Sequence, residues 1–278
     1  MNRAYRRSTT SRILFVVLLA FLPVYLHAVQ EAAPLTWDQQ EQFLLTAQIV
    51  KTDPVAKGIT NTVRVTLSDG TLTHDASVQR INESKAFFKP DFGPAEMNFK
   101  DSYKFNIAAW KLARMLGIGN MMPPSVERKY QGAAAAFTWW IDNVMMEEGD
   151  RQKKKLTAPN TENWNREMNV LLVFDQLIYN TDRNIGNIII DKQWHLWMID
   201  HTRAFRLQKT LRTPNVLGFS DRGLLARMKA LDEPTLEKEL TTYLTKEEIR
   251  GLLARRDLIV KFFEAKGERF LYDRPARN

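Results

Sequence analysis

The sequence contains no cysteine. This absence excludes disulfide bonds and the lipid-modified cysteine of a lipoprotein signal. Export does not require disulfides, so the absence is compatible with a location outside the cytoplasm. Internal repeats and low-complexity segments are absent as well. The 278 residues are enough for one domain of two lobes, or for two small domains, with an ample core.

The N-terminal apolar run is too short for a comfortable membrane span. Ile13–Leu26 has 14 residues, whereas a transmembrane helix needs about 20. The run follows four arginines and leads into Leu26-His27-Ala28, whose small final residue suits a cleavage site. This order predicts a signal peptide over residues 1–28, with the mature chain starting at Val29. The alternative is an uncleaved membrane anchor, and we expect export to the periplasm or the exterior.

The sequence also lacks a strong charge imbalance. The formal net charge is +8, and it falls to +4 without the signal peptide, which carries four arginines and no acidic residue. So mild a charge does not indicate a nucleic-acid partner. An apolar content of 44% with 26% charged residues is typical of a globular protein.

The stretch 174–205 predicts a helix end, a polar loop and a β-hairpin. The helix ends at Tyr179, the strands are Asn187–Ile190 and Trp194–Asp200, and residues 191–193 form the turn. Pairing of the strands brings the start of the first beside the end of the second, with cross-strand Cβ atoms about 5 Å apart. Polar side chains should therefore gather at the open end of this hairpin.

Three oxygen-bearing side chains converge at this open end. Mg²⁺ prefers oxygen ligands, one or two of them carboxylates, and Asn187 and Asp200 meet that demand. Asp182 is then free to orient or deprotonate an attacking hydroxyl. The alternative makes Asp182 and Asp200 turn residues and Asn187 a strand-edge residue.

The segments TDRNIGNIII and WMIDHTRAF resemble the catalytic core of the protein-kinase-like superfamily. That core carries a loop Asp, an Asn shortly after it and a Mg²⁺-binding Asp after the next hairpin, here Asp182, Asn187 and Asp200. The segments look most like phosphatidylinositol 3- and 4-kinases, and they are similar also to HipA-type kinases and secretory-pathway kinases of the Golgi casein-kinase type. Asn184 stands where phosphoinositide kinases have His, and His201 stands where protein kinases have Phe.

The resemblance implies an α+β fold of two lobes, with a small β-rich N-lobe carrying one main helix and a mostly helical C-lobe. It implies an N-lobe over residues 57–142 and a C-lobe over 143–278, and the sequence pattern predicts an N-terminal helix and linker over residues 29–56. The cofactors would be ATP with Mg²⁺ or Mn²⁺. Asp182 and Arg183 would be the catalytic residues in phosphoryl transfer to a hydroxyl acceptor.

The N-lobe is expected to begin with a phosphate-covering loop and a hairpin. Alternation over Val63–Val78 around the turn Ser68-Asp69-Gly70 predicts the hairpin. By the resemblance, the upstream loop would cover the phosphates with Gly58 and Thr60. The alternative is a plain strand-entry loop. A helix over Leu35–Val50, then a linker to about residue 56, should precede it.

The resemblance assigns a phosphate-binding lysine to the second strand and a partner glutamate to the next helix. Gln79 stands at or near the first position, and the helix predicted over Asp101–Leu116 presents Asn106 at the second. Glutamine cannot neutralise phosphate as lysine does. Either another cation has taken over this role, or ATP turnover is weak. Lys85 and Lys89 are expected in the loop between.

An apolar strand, Ala133–Ile141, should be central in the sheet and lead to an inter-lobe hinge. Adenine would bind there beside Asp142, while Trp139 and Trp140 are expected to pack between the lobes. The charge run Arg151–Lys155 is expected in a solvated polar loop, with docking of an acidic substrate or lipid headgroup as the alternative. The remaining chain is expected to be helical.

Two other functions remain open at this point. One is a pseudokinase that binds a nucleotide or a partner without turnover, and the other is transfer of the nucleotidyl group on the same fold. The acceptor is a protein, a lipid or a small molecule that the sequence does not specify. We expect a monomer.

Overall fold

The computed structural model describes residues 34–54, 62–89 and 95–277, together with Met1. The α-helices in these residues are α1 Trp37–Thr46, α2 Lys104–Met115, α3 Glu148–Lys153, α4 Thr161–Ile178, α5 Arg222–Ala230, α6 Glu233–Leu240 and α7 Lys246–Lys266. The strands are β1 Gln48–Pro54, β2 Val63–Ser68, β3 Thr73–Gln79, β4 Asn82–Phe88, β5 Glu96–Ser102, β6 Ser125–Tyr130, β7 Ala133–Trp139, β8 Val144–Glu147, β9 Ile188–Asp191, β10 Leu196–Met198, β11 Ser220–Asp221 and β12 Leu271–Tyr272.

The N-terminal part is built on a five-stranded antiparallel sheet with the order β1-β2-β3-β7-β6. Alternation along β2 and β3 buries Val65, Leu67, Ala76 and Val78 on one face, because successive side chains of a strand point to opposite faces. These residues pack with Phe137 of β7. Strand β7 lies between β3 and β6, which confirms its predicted interior place.

The first helix is shorter than predicted. The capping box at Thr36 is formed, but the helix ends at Thr46 and the chain enters β1. The helix predicted over residues 48–50 and the linker predicted over residues 51–54 were therefore wrong, because these residues pair with β2. Strand pairing depends on a partner distant in sequence, and local pattern did not reveal that β2 has a free edge.

A second hairpin, β4–β5, separates the sheet from α2. Lys85 lies in β4 and not in the predicted loop, and α2 begins at Lys104 and not at Asp101. The hairpin is fixed at its base, since the Ser102 backbone N–H donates to the Thr202 carbonyl at 2.9 Å. It therefore runs beside the segment that follows the predicted metal ligand Asp200.

The C-terminal part is mostly helical, with a core that includes Phe174, Phe205 and Phe263. The predicted hairpin is present as β9–β10, in which Ile188 pairs with Met198, and β8 completes this small sheet. The polar loop predicted for the charge run was wrong over residues 151–153, which belong to α3, where Arg151 contacts Glu148 at 2.6 Å. Lys154 and Lys155 follow the helix in a turn.

The fold is α+β, with a β-rich N-terminal part and a helical C-terminal part, as the sequence predicted, and it is consistent with a two-lobed kinase-like fold. No helix in the described part of the chain has both the length and the apolar character to cross a membrane. The proposed signal peptide lies outside the described residues.

Candidate active site

A cleft of about 670 Å³ lies beside the open end of the β9–β10 hairpin. Gln79 of β3 and Asn106 of α2 line it, as do Ile141 after β7 and the hairpin residues Asn187 and Asp200. The elements predicted to form the two sides of a nucleotide site therefore meet at one cavity.

The end of α4 positions the loop that carries Asp182. The helix stops because Tyr179 adopts the left-handed conformation, with φ +51°, and the Asn180 backbone N–H donates to the Asp175 carbonyl at 2.9 Å. The Asp182 backbone N–H donates to Asn180 Oδ1 at 3.0 Å. Helix, cap and loop thus place Asp182 by short-range contacts.

Arg183 braces the loop against the hairpin. Its guanidinium contacts the Asp175 carboxylate at 2.9 and 3.2 Å. It also donates to the Asn187 carbonyl at 2.8 Å and the Ile199 carbonyl at 2.7 Å. Both charged side chains are more than nine-tenths buried. Arg183 therefore holds the loop and the hairpin in place and does not line the cleft. The sequence interpretation had made it a catalytic residue.

The backbone fixes the orientation of the Asn187 amide. Its Nδ2 donates to the Asp182 carbonyl at 3.1 Å, and a carbonyl can only accept, so Oδ1 is the remaining end of the amide. Asp200 Oδ1 accepts from the Thr202 hydroxyl at 3.0 Å, and Oδ2 has no hydrogen-bond partner among the described residues. Asn187 and Asp200 thus each have one side-chain oxygen available to bind a metal ion.

This donor set fits a magnesium-type ion. One carboxylate and one amide oxygen, completed by water and phosphate oxygens, are the ligands that Mg²⁺ takes in nucleotide sites. No group of three His, Cys, Asp or Glu side chains within the described ranges is arranged to hold a metal alone. A metal at Asn187 and Asp200 would therefore bind together with a phosphate ligand.

Asp182 lies among both acidic and basic side chains. Burial is the main cause that raises the pKa of its carboxyl, and the negative charges of Asp200 and Glu96 add to this, while Arg203 and Arg183 oppose it. Asp101 of β5 behaves in the same way. Burial raises the pKa of its carboxyl, and Asp200 and Asp182 contribute to the rise. The sequence interpretation missed Asp101 because an isolated acidic residue before a helix carries no local signal.

Replacing Asp182 with Asn should stabilise the fold at neutral pH. The raised pKa means that the ionised carboxylate is less favourable in the folded than in the unfolded chain. The gain should be at most about 1 kcal/mol, because solvent screens a half-buried group. It should shrink as the pH falls through the raised pKa toward the usual 3.8. Urea unfolding at about pH 7 and at about pH 4, close to the usual pKa of 3.8, measures both effects.

The matched control is Asp257→Asn on the surface of α7, where the side chain is 69% exposed. It should change stability little at either pH. A wild-type protein that is more stable than Asp182→Asn at neutral pH would show that the carboxylate is a structural acceptor, contrary to the electrostatic account.

A chain of hydrogen bonds links the metal end of the cleft to β3. The His201 backbone N–H donates to Asn106 Oδ1 at 2.7 Å, and Asn106 Nδ2 donates to Gln79 Oε1. Because a backbone N–H can only donate, the Asn106 oxygen must face His201. The Asn106 amide nitrogen therefore faces the Gln79 oxygen, which fixes the orientation of both amides. The structure therefore brings Gln79 and Asn106 together, as the resemblance implied.

His201 supports the same region as a neutral side chain. Its Nε2 accepts from Arg183 Nη2 at 2.8 Å, because arginine can only donate. Complete burial, with the nearby Arg183 charge, lowers the pKa of the imidazole well below 6.5. It packs against Phe174 with ring centroids 6.0 Å apart, so an aromatic residue is kept where protein kinases have Phe.

Other predicted site residues are placed differently. Gly58 and Thr60 lie outside the described residues. The Asp142 side chain does not line the cleft, because its carboxylate pairs with His74 Nε2 at 3.0 Å, and Ile141 is the lining residue of this hinge. Trp139 is buried and stacks on His74 with ring centroids 3.7 Å apart, although both it and Trp140 also reach the cleft wall.

The comparisons with known proteins find similarity at the level of structure. Neither a family model nor a curated protein matches the chain. A search of solved structures finds the proinflammatory kinase CtkA of Helicobacter pylori, with a TM-score of 0.45 and 10% sequence identity. The match covers 78% of this chain and 92% of that chain. A similarity at this level concerns overall fold and does not define an activity.

Proposed function

We propose that this chain is an exported phosphotransferase that moves the γ-phosphoryl group of ATP to a hydroxyl acceptor. The observation that carries the proposal is the orientation of Asn187 and Asp200, which leaves one oxygen of each available beside the Asp182 loop. ATP with Mg²⁺ or Mn²⁺ is the proposed cofactor pair. The basic, apolar and small-residue order of residues 1–28 supports the proposed export.

Asp182 is the proposed proton acceptor. The acceptor hydroxyl oxygen bonds to the γ-phosphorus, the bond from that phosphorus to the bridging oxygen of ADP breaks, and the hydroxyl proton passes to Asp182. Burial that raises the pKa of this carboxyl makes it a better base at neutral pH. Arg183 holds the loop and the hairpin in register. A bound Mg²⁺ would supply positive charge for the phosphates.

Turnover and binding must be measured separately. Transfer of labelled γ-phosphate to hydroxyl acceptors, or to water, should require Mg²⁺ or Mn²⁺ and should be lost in Asp182→Asn. Nucleotide binding should persist in this variant, because Asp182 does not line the cleft. A wild-type protein that neither binds nor hydrolyses a metal–nucleotide complex would contradict the proposal.

A pseudokinase is the second candidate, and the cleft lining favours it. Among the described residues that line the cleft, none is lysine or arginine, whereas Glu147, Asp150 and Asp200 are acidic. A triphosphate would thus receive positive charge from metal alone in this part of the site. Metal-dependent nucleotide binding without measurable transfer would identify this function.

Restoring the missing ion pair should strengthen nucleotide binding cooperatively. In Gln79→Lys alone the new cation lacks a partner, and in Asn106→Glu alone a carboxylate faces the phosphates. The double variant can form the lysine–glutamate pair that holds phosphates in kinases, because the two native side chains are already in contact. We expect a coupling of about 0.5–3 kcal/mol in ATP affinity, measured by calorimetry in a double-mutant cycle.

The control is the pair Gln193→Lys and Glu268→Gln, two exposed positions that do not line the cleft. Each substitution alone, and both together, should leave ATP affinity unchanged. Additive effects at Gln79 and Asn106 would show that this pair does not occupy the phosphate-binding position.

A further inference from the structure

Two arginines beside the catalytic loop hold a single internal carboxylate. Arg203 Nη2 contacts Glu96 Oε1 at 2.6 Å, and Arg206 Nη2 contacts Glu96 Oε2 at 2.9 Å. Arg206 also donates to the Thr181 hydroxyl at 3.3 Å, and Thr181 directly precedes Asp182. The carboxylate therefore lies next to the proposed proton acceptor.

This pair of arginines has more donors than Glu96 uses. The Nε atoms of Arg203 and Arg206 are both buried and have no hydrogen-bond partner within the described ranges. Arginine binds an oxyanion best through a parallel fork of two N–H groups, and Glu96 takes only one terminal nitrogen from each. The site is thus built for an oxyanion and incompletely satisfied by its internal one.

Glu96 belongs to a separate element. It begins β5 of the β4–β5 hairpin, whereas both arginines follow Asp200 in the C-terminal part. The hairpin contacts this segment through the ring of Phe99, whose centroid lies 5.1 and 5.4 Å from the guanidinium carbons of the two arginines, and through polar groups, among them Lys100, whose carbonyl accepts from Arg206. Asp101 Oδ1 lies at the same contact and is also buried without a partner among the described residues. Glu96 is the first residue of β5, so exchange of its side chain for an external anion leaves the Phe99 contact in place.

We propose that Arg203 and Arg206 form the anchor for the acceptor, and that the acceptor is a hydroxyl compound carrying a monoanionic oxyanion, either a carboxylate or a phosphodiester. Glu96 occupies this anchor until the acceptor replaces it. The assignment as an acceptor site rests on the proposed phosphotransfer, whereas the anion site itself does not.

Charge balance supports a monoanion. Asp101, Asp182 and Asp200 lie near the two arginines, and the charges of these carboxylates act on one another. A carboxylate or phosphodiester replaces the Glu96 carboxylate charge for charge, whereas a more highly charged anion would add repulsion. The anionic group on the two arginines would leave the hydroxyl of the same molecule free to reach Asp182.

The test is calorimetric binding of three small probes to the full chain without nucleotide or metal. Glycerate carries a carboxylate, glycerophosphoglycerol carries a phosphodiester, and glycerol carries neither. We expect the wild type to bind one or both anions and not glycerol. Glu96→Gln should bind them roughly tenfold more tightly because it removes the internal competitor, and Arg203→Met in that background should lose about tenfold or more.

Glu268→Gln is the matched control, since Glu268 pairs with the exposed Arg222 and both residues are far in sequence from Glu96. It should leave anion affinity unchanged. Equal binding of glycerol and the anions, or no gain in Glu96→Gln, would overturn the anion site. If Glu96→Gln does not fold, the melting temperature of the wild type with and without the anions tests the site instead. The anions should raise the melting temperature of the wild type but not that of Arg203→Met. If they do not stabilise the wild type, the anion site is overturned.

The two probes distinguish the two anions, and a transfer assay distinguishes the two proposals. Phosphate transfer from ATP to a bound anionic probe and not to glycerol supports the acceptor assignment. Anion binding with transfer to glycerol alone overturns that assignment and leaves phosphotransfer intact. If the protein binds no nucleotide, both the proposed phosphotransfer and the acceptor assignment are wrong. The anion-binding measurements still test the anion site in that case.

Discussion

Replacing Arg183 with methionine is expected to destabilise the protein by about 3–5 kcal/mol, the usual cost of leaving a buried charge without its partner. Asp175 would lose two contacts, at 2.9 and 3.2 Å, and it is as buried as Arg183 itself. The carbonyls of Asn187 and Ile199 would lose their donor as well. Urea unfolding of the variant and the wild type measures the loss.

Two further variants separate this buried ion pair from an ordinary surface pair. Arg166→Met removes a pair with the exposed Glu162 at helical spacing and a contact with the Tyr272 ring, and it should cost no more than about 1 kcal/mol. Adding Asp175→Asn to Arg183→Met should recover part of the loss, because it removes the unpaired charge. If Arg183→Met were no more costly than Arg166→Met, the brace would have no role in stability.

The local features of the fold and of the candidate site were predictable, since they depend on residues close in sequence. The caps at Thr36 and Thr245 and the turn of the β9–β10 hairpin follow from short motifs. The contact of Gln79 with Asn106 was implied by the resemblance, which places a lysine and a glutamate at these positions of the strand and the helix. The proposal of Asn187 and Asp200 as metal ligands came from hairpin symmetry and resemblance together.

The missed parts depend on partners far along the chain. Strand β1 exists because β2 has a free edge, and the β4–β5 hairpin lies against residues after Asp200. Glu96 meets Arg203 and Arg206 across more than a hundred residues of sequence. An acidic residue in an unassigned loop gives no local sign of such a contact, so the proposed anion anchor could not have been read from the sequence.

Asp200→Asn is expected to weaken metal-dependent nucleotide binding by at least the ~10–100-fold that loss of an outer-shell partner causes, because it removes the only carboxylate assigned to the metal. Asparagine is the suitable replacement, since residue 200 has φ +52°, a conformation that asparagine tolerates and alanine does not. The amide also keeps an acceptor for Thr202. Titration calorimetry with ADP and Mn²⁺ measures the change.

The effect should be specific to the metal. Asn187→Ala should weaken binding less than Asp200→Asn, since an amide ligand carries no charge, and metal-free nucleotide should bind all three proteins equally. Asp257→Asn should bind like the wild type. Unchanged Mn²⁺-dependent affinity in both site variants would mean that the metal is held elsewhere.

The central claim is that a nucleotide binds in the inter-lobe cleft through a metal held by Asn187 and Asp200. Anomalous diffraction from a crystal soaked with Mn²⁺ and a non-hydrolysable ATP analogue tests it most directly. The account predicts a manganese peak in contact with Asn187 Oδ1 and Asp200 Oδ2, with phosphate oxygens completing the coordination. A manganese peak away from these two oxygens, with nucleotide bound in the cleft, would contradict it.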